Sequence, residues 1–221
     1  MKAVIFDVGG VLAHDIWEHL LLDEPNGVAS EYSLDKDQVK KVGKLLWEAF
    51  AYRQETQHND WRALEREYWS LFIEFFSKQL PQNASIDTFI QKTDDFVKLV
   101  QGAQGESAIP ILERLQLNGV DLAICSNNNE FWSRRQMDKL DLHRFFSPSR
   151  VVLSCRAGVS KSSRHFEMFH AAADAVRLPK SHCIFVDDRD GNVERSRQCG
   201  MFGILFKNIP QLDSSLKEKG L

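Results

Sequence analysis

The stretch that decides the fold is VIFDVGGVLA, residues 4–13. Apolar, β-branched and aromatic residues run up to one carboxylate, Asp7, and the chain then breaks into Gly9 and Gly10. A buried strand hands a polar group to a loop in this way. An aspartate that only makes a turn needs nothing from the rest of the chain. One that does chemistry needs cations, hydrogen-bond donors and a proton source, so the remaining sequence is read for those.

Beyond residue 107 helix and strand patterns alternate. Residues 108–117 read as a helix closed by Asn118 and Gly119, and 120–125 as a strand ending at Ser126. A short strand follows at 151–153 and a helix at 165–176. An apolar strand at 183–186 ends on Asp187 and Asp188, and a last strand covers 203–206. This order predicts an α/β fold with a parallel sheet, whose functional groups gather at the carboxyl ends of the strands. Asp7, Ser126, Asp187 and Asp188 then converge on one crevice.

Residues 14–100 have a different texture. Val39, Val42, Leu45, Leu46 and Phe50 recur at helical spacing after Ser33, with lysines over the other face. Asn59 or Asp60 caps a second helix through Leu64, Tyr68, Leu71, Phe72 and Phe75, and a third covers 86–99. The aromatic richness of this region fits the interior of a small helical bundle, and QGAQGES, residues 101–107, reads as the linker back. The expected division is a core of 1–13 and 101–221 with an inserted helical domain at 14–100.

With 221 residues and 43% hydrophobic content, the chain can bury a sizeable core. A net charge of −3, with both signs interspersed, leaves no footprint for nucleic acid or a membrane surface. No apolar run approaches the ~20 residues of a bilayer span and no cleavable leader is evident, which points to the cytoplasm. Cys125, Cys155, Cys183 and Cys199 lack CxxC spacing and read as buried thiols.

FDVGGVL (6–12), CSNNN (125–129), GVSK (158–161) and VDDRDGNVERSRQCGM (186–201), in that order, resemble the four motifs of the haloacid dehalogenase (HAD) superfamily. The similarity covers residues 1–13 and about 105–207. It is closest to members with a helical cap, subfamily IA, in the branch that includes alpha-D-glucose-1-phosphate phosphatase. The resemblance implies a Rossmann-like core with a bundle cap and a phosphatase using Mg2+ on a small phosphorylated substrate, sugar phosphates first.

Under that resemblance Asp7 is the nucleophile that forms an aspartyl phosphate. Magnesium, held by Asp7, the Gly9 carbonyl and Asp188, with Asp187 acting through a water in a role the sequence alone could exchange with that of Asp188, offsets the repulsion between two anions. Ser126 and the Asn127 amide hold phosphate oxygens, and Lys161 adds a fixed positive charge. Asn192 either orients the acidic loop or caps the next helix.

Two positions depart from the family pattern. Ser162 stands where GxxK usually continues with proline. Gly9 stands where most phosphatases of the family carry a second aspartate as general acid, a group worth about 100- to 10,000-fold in rate. His14 or Asp15 could replace it, substrate or solvent could supply the proton, or turnover is poor. A fold-retaining binding protein is therefore the alternative, with a phosphonatase or a dehalogenase as lesser ones.

Overall fold

The computed structural model describes residues 2–23, 25–52 and 60–221. Strand β1 (Ala3–Phe6) is followed by five helices, α1 (Ile16–Leu22), α2 (Val28–Glu31), α3 (Lys36–Ala51), α4 (Trp61–Phe75) and α5 (Ile86–Phe96). Then come α6 (Ile109–Leu117), β2 (Asp121–Ser126), α7 (Glu130–Lys139), β3 (Val151–Leu153), α8 (Ser154–Ala157), α9 (Glu167–Val176), β4 (Cys183–Asp187), α10 (Asp190–Gln198), β5 (Phe202–Leu205) and α11 (Ile209–Glu218). The strands form one parallel sheet in the order β3-β2-β1-β4-β5.

Both faces of the sheet are covered, which explains why β1 and β4 are near-continuous apolar runs rather than alternating ones. Val4 and Phe6 pack with Leu112 of α6, Met137 of α7 and Leu212 of α11 on one face. Ala3 and Ile5 pack with Phe169 and Ala172 of α9 on the other. The central position of β1 puts its C-terminal residue between the ends of β2 and β4. All four cysteines are buried thiols, as the spacing predicts. Among the described residues no helix is long and apolar enough to cross a membrane.

Helices α1 to α5 enclose a second apolar cluster, rich in aromatic rings as expected. Gly43 lets α1 close on α3, since a Cβ there would lie 2.3 Å from Leu21 Cδ1. The cluster is completed by Phe131 and Trp132 of α7, a helix that the sequence pattern does not reveal. Phe131 meets Phe50 at 5.7 Å and Tyr68 at 5.6 Å between ring centroids. Arg135, one turn on, pairs with the buried carboxylate of Glu65 and with Asp94 Oδ1 at 3.1 Å.

Several expected boundaries shift for local reasons. α3 follows Ser33 as expected and is capped by Asp35, its carboxylate accepting from Gln38 N at 2.7 Å. Asp60 caps α4, while Asn59 lies outside the described residues. Leu45, Leu71 and Phe75, expected on apolar faces, are exposed. On α4 the buried stripe is turned toward Glu65 and Trp69, where Arg135 draws the carboxylate inward. The third helix stops at Phe96 rather than at 99, because the returning chain pairs with the outgoing one: His14 N donates to Lys98 O at 3.0 Å and Val100 N to Leu12 O at 3.1 Å.

Phe131 is fully buried between the two clusters. Replacing it with alanine is expected to cost about 3–5 kcal/mol, from lost transfer energy and the cavity left behind. Urea unfolding monitored by circular dichroism measures this loss.

Candidate active site

Four polypeptide segments meet at the carboxyl end of the sheet. β1 ends in Asp7, whose amide donates to Val186 O at 2.9 Å and whose Oδ1 accepts from Val8 N at 2.8 Å. β4 ends in Asp187, followed by Asp188. The loop after β3 brings Lys161, fully buried, with Nζ 2.7 Å from Asp7 Oδ2 and 2.5 Å from Asp187 Oδ2. One ammonium thus bridges two carboxylates from neighbouring strands. β2 ends in the buried Ser126, whose side chain helps hold the Asp7 carboxyl down.

Lys161 reaches this position although proline does not follow it. Asn127 Oδ1 accepts from Lys161 N at 2.9 Å, and Arg195 of α10 donates through Nε to Lys161 O at 2.9 Å and through its terminal nitrogen to Ser163 O. Ser162 N donates to Ser160 Oγ at 3.2 Å, a bond that proline could not make. Nothing in the sequence marks Arg195 as part of the site, although it lies inside the fourth motif, because its partners are backbone carbonyls of a distant loop.

Asp187 is saturated by protein donors. Its Oδ1 accepts from Arg189 N at 2.8 Å and from Asn192 Nδ2 at 3.0 Å, and its Oδ2 from Lys161 and from Asn192 Nδ2 at 3.1 Å. Of the two roles open to Asn192 the structure therefore supplies the first, orientation of the acidic loop; Arg189 occupies the N-cap position of α10. Asp188 is exposed, and oxygens of Asp7, Asp187 and Asp188 lie within 4.8 Å of one another. Such a set of hard oxygen donors fits a divalent cation of the magnesium type. Asp187 is already engaged by protein donors, and Asp7 and Asp188 supply the other carboxylate oxygens of the cluster.

Electrostatics follow from burial. Loss of solvent pushes the Asp7 carboxyl up to about 7; Lys161 pulls it down, and the Asp187 charge adds to the rise. Burial alone would lower the Lys161 ammonium, but Asp7 and Asp187 outweigh it and hold the group firmly charged. Asp188 is raised by burial first and by the Asp187 charge second.

The site opens into a cavity of about 230 Å³ floored by Asp7, Gly9, Asn127 and Lys161. Ser126 does not line it. Gly9 leaves a space, and the structure shows what stands beside it: a Cβ built on Gly9 would lie 3.7 Å from Asp15 Oδ2. Asp15 lines the same cavity, is pushed up by burial, and has Arg189 3.4 Å away as an opposing charge. His14 does not line the cavity; its ring packs edge-on against His19, 5.2 Å between centroids.

Gly10 is required where it stands. Its φ is +75°, and a Cβ there would lie 2.5 Å from Asp188 Oδ2. Gly10→Ala is expected to cost about 1–2 kcal/mol from the left-handed backbone alone, and more as the Asp188 carboxylate is displaced. Equilibrium denaturation in urea checks this.

Comparison with known proteins extends the picture. The family model described as haloacid dehalogenase-like hydrolase matches residues 1–200. A curated relative, flavin mononucleotide hydrolase 1 of Arabidopsis thaliana, is 31% identical over 94 residues, which span 42% of this chain and only 37% of that protein. Among solved structures, a HAD family enzyme of Bacteroides thetaiotaomicron in complex with magnesium and inorganic phosphate superposes with a TM-score of 0.57 at 15% identity, covering 94% of each chain. Its magnesium complex gives 0.66 at 16%, covering 94% of this chain and 93% of that one. The L-2-haloacid dehalogenase of Xanthobacter autotrophicus with covalently bound chloropropionic acid gives 0.55 at 14%, covering 91% and 75%. At these identities the structural likeness speaks for the fold alone.

Proposed function

The chain belongs to the haloacid dehalogenase-like hydrolases, and on that footing we propose that it is a magnesium-dependent phosphomonoesterase acting on a small phosphorylated metabolite. Residues 14–100 serve as the cap, and 1–13 with 101–221 as the catalytic core. The observation that carries this reading is the Lys161 ammonium between Asp7 and Asp187, with Asp188 in the same cluster and a cavity above it. The family's dehalogenases work without magnesium, whereas the clustering of Asp188 with Asp7 and Asp187 suits a cation. The curated relative, named as a flavin mononucleotide hydrolase, supports the same choice.

The Asp7 carboxylate attacks phosphorus, and the bond from phosphorus to the leaving oxygen breaks. Lys161 and the Asn127 amide hold the phosphoryl oxygens, while Ser126 orients the Asp7 carboxylate. Asp187, gripped by Asn192 and the Arg189 amide, fixes Lys161. Magnesium, when bound by Asp7, Asp188 and the Gly9 carbonyl, supplies charge that brings the anionic nucleophile and the phosphate together.

Asp15, whose carboxylate borders the space left open by Gly9, gives its proton to the leaving oxygen. It then takes a proton from the water that attacks the aspartyl phosphate, releasing inorganic phosphate and restoring Asp7. The glycine at position 9 and the serine at 162, which motivate the binding-protein alternative, thus each have a local answer. Sugar phosphates are the substrate class that the family resemblance indicates.

Phosphate release in the presence of Mg2+ tests the reading. Asp7→Asn is expected to abolish it, and Asp15→Asn to lower kcat by about 100- to 10,000-fold, whereas His14→Ala leaves the pH profile in place. Release that survives in Asp7→Asn refutes the nucleophile assignment. Mg2+ at roughly 100 times its Kd is expected to stabilise the protein by about 2.7 kcal/mol, and Asp188→Asn to remove most of that gain, read as a shift in Tm.

A further inference from the structure

Above its catalytic floor the cavity carries four aromatic rings set among polar side chains. Trp17 of α1, Trp47 of α3 and Tyr52 just beyond it face the cleft from the helical side, and Trp132 of α7 from the core side. Trp17, Trp47 and Tyr52 are only partly buried, so each leaves apolar surface toward the cleft. Trp47 and Tyr52 meet edge to face, 5.6 Å between centroids at 85°, which fixes them as two sides of a corner. Lys44 and Glu48 flank Trp47 one turn apart on the same helix face, as a loose pair 3.9 Å apart.

The polar groups around this corner are mostly engaged with one another. Gln136 Oε1 accepts from Asn128 Nδ2 at 2.9 Å, and Asp15 faces Arg189. A polyhydroxylated leaving group buries several donors and acceptors, each of which needs a partner to avoid a desolvation penalty. Asn192 is likewise held by Asp187, and the polar groups beside the aromatic corner itself are Lys44 and Glu48. A flat ring asks for the opposite: broad apolar faces at set angles with few polar contacts. At about 230 Å³ the cavity lies below the ~300 Å³ at which sites for drug-sized ligands begin, so the occupant is a phosphate with a compact ring system.

We infer that the substrate is a phosphomonoester whose alcohol carries a planar aromatic or heteroaromatic ring, seated in the corner formed by Trp47 and Tyr52 with Trp17 beside it. The inference rests on the phosphatase reading above and narrows it, away from plain sugar phosphates. Trp47 and Trp17 are specificity-determining residues: they hold the ring and take no part in the bond-breaking step.

The test compares kcat/KM, with Mg2+, for two ring-bearing esters, uridine 5′-monophosphate and pyridoxine 5′-phosphate, against ribose 5-phosphate and glucose 1-phosphate. The uridine and ribose esters share the same primary leaving oxygen and differ by the ring. At least one ring-bearing ester is expected to exceed ribose 5-phosphate by about 10- to 100-fold, the range of one base stacked on an aromatic side chain, chiefly through KM. Trp47→Ala is expected to collapse that ratio and Trp47→Phe to restore most of it, with Trp17→Ala as an independent variant should the first fold poorly.

Equal or faster turnover of the sugar phosphates, or a ratio unmoved by both alanine variants, overturns the inference and leaves the phosphatase reading intact. Calorimetric binding of the same four esters to the Asp7→Asn protein with Mg2+ separates the other failure. Preferential binding of the ring-bearing esters, together with no phosphate release from any ester by the wild type, upholds the ring site and refutes the phosphatase.

Discussion

One buried ammonium group organises the catalytic end of this molecule. Lys161 lies between Asp7 and Asp187, and removing three charges from water costs several kcal/mol per ion unless the charges face each other at hydrogen-bond distance. They do so here, from two strands and a loop, and the groups nearby are arranged to keep them there. Asn127 and Arg195 grip the backbone on either side of the lysine, and Asn192 and the Arg189 amide grip Asp187. The strand order makes this possible, because β1 between β2 and β4 puts Asp7 within reach of both neighbours.

The same arrangement leaves an asymmetry between the two acids at the end of β4. Asp187 spends its lone pairs on protein donors, while Asp188 faces outward with its oxygens available. Sequence alone leaves these roles exchangeable, since both acids follow the same apolar strand. Side-chain direction alternates along a strand, and that alternation turns one inward to Lys161 and the other toward solvent.

Much of this is legible in the residues themselves. The alternation of apolar runs and helical periods beyond residue 107 predicts the parallel sheet, and the ends of three of its strands carry the acids and the serine. Where expectation and structure part, tertiary contacts are the reason. α7 carries few apolar residues, and its amphipathic pattern is obscured because Phe131 and Trp132 serve the helical layer while Met137 serves the sheet. Leu71 and Phe75 fall outside the buried stripe of α4, which runs through Leu64, Glu65, Tyr68, Trp69 and Phe72 with Glu65 paired to Arg135. Arg195 is silent in the sequence because a residue bonded to backbone oxygens leaves no partner to find there. The neighbour of Gly9 is visible only as two adjacent candidates, and nothing short of the path into α1 distinguishes His14 from Asp15.

That path is short. The outgoing chain at Leu12 to His14 is stitched to the returning chain at Lys98 to Val100, and Asp15 follows at once as the residue that opens α1, with Trp17 in its first turn. The carboxylate beside Gly9 is therefore mounted on the helical layer, whereas Asp7, Lys161 and Asp187 are mounted on the sheet. Any tilt of one layer against the other moves the acid and the indole as a unit relative to the fixed charges below. On the proposed reading, the reacting constellation is complete only in the seated arrangement of the two layers, so that solvent exclusion and proton delivery would share a single mechanical coordinate.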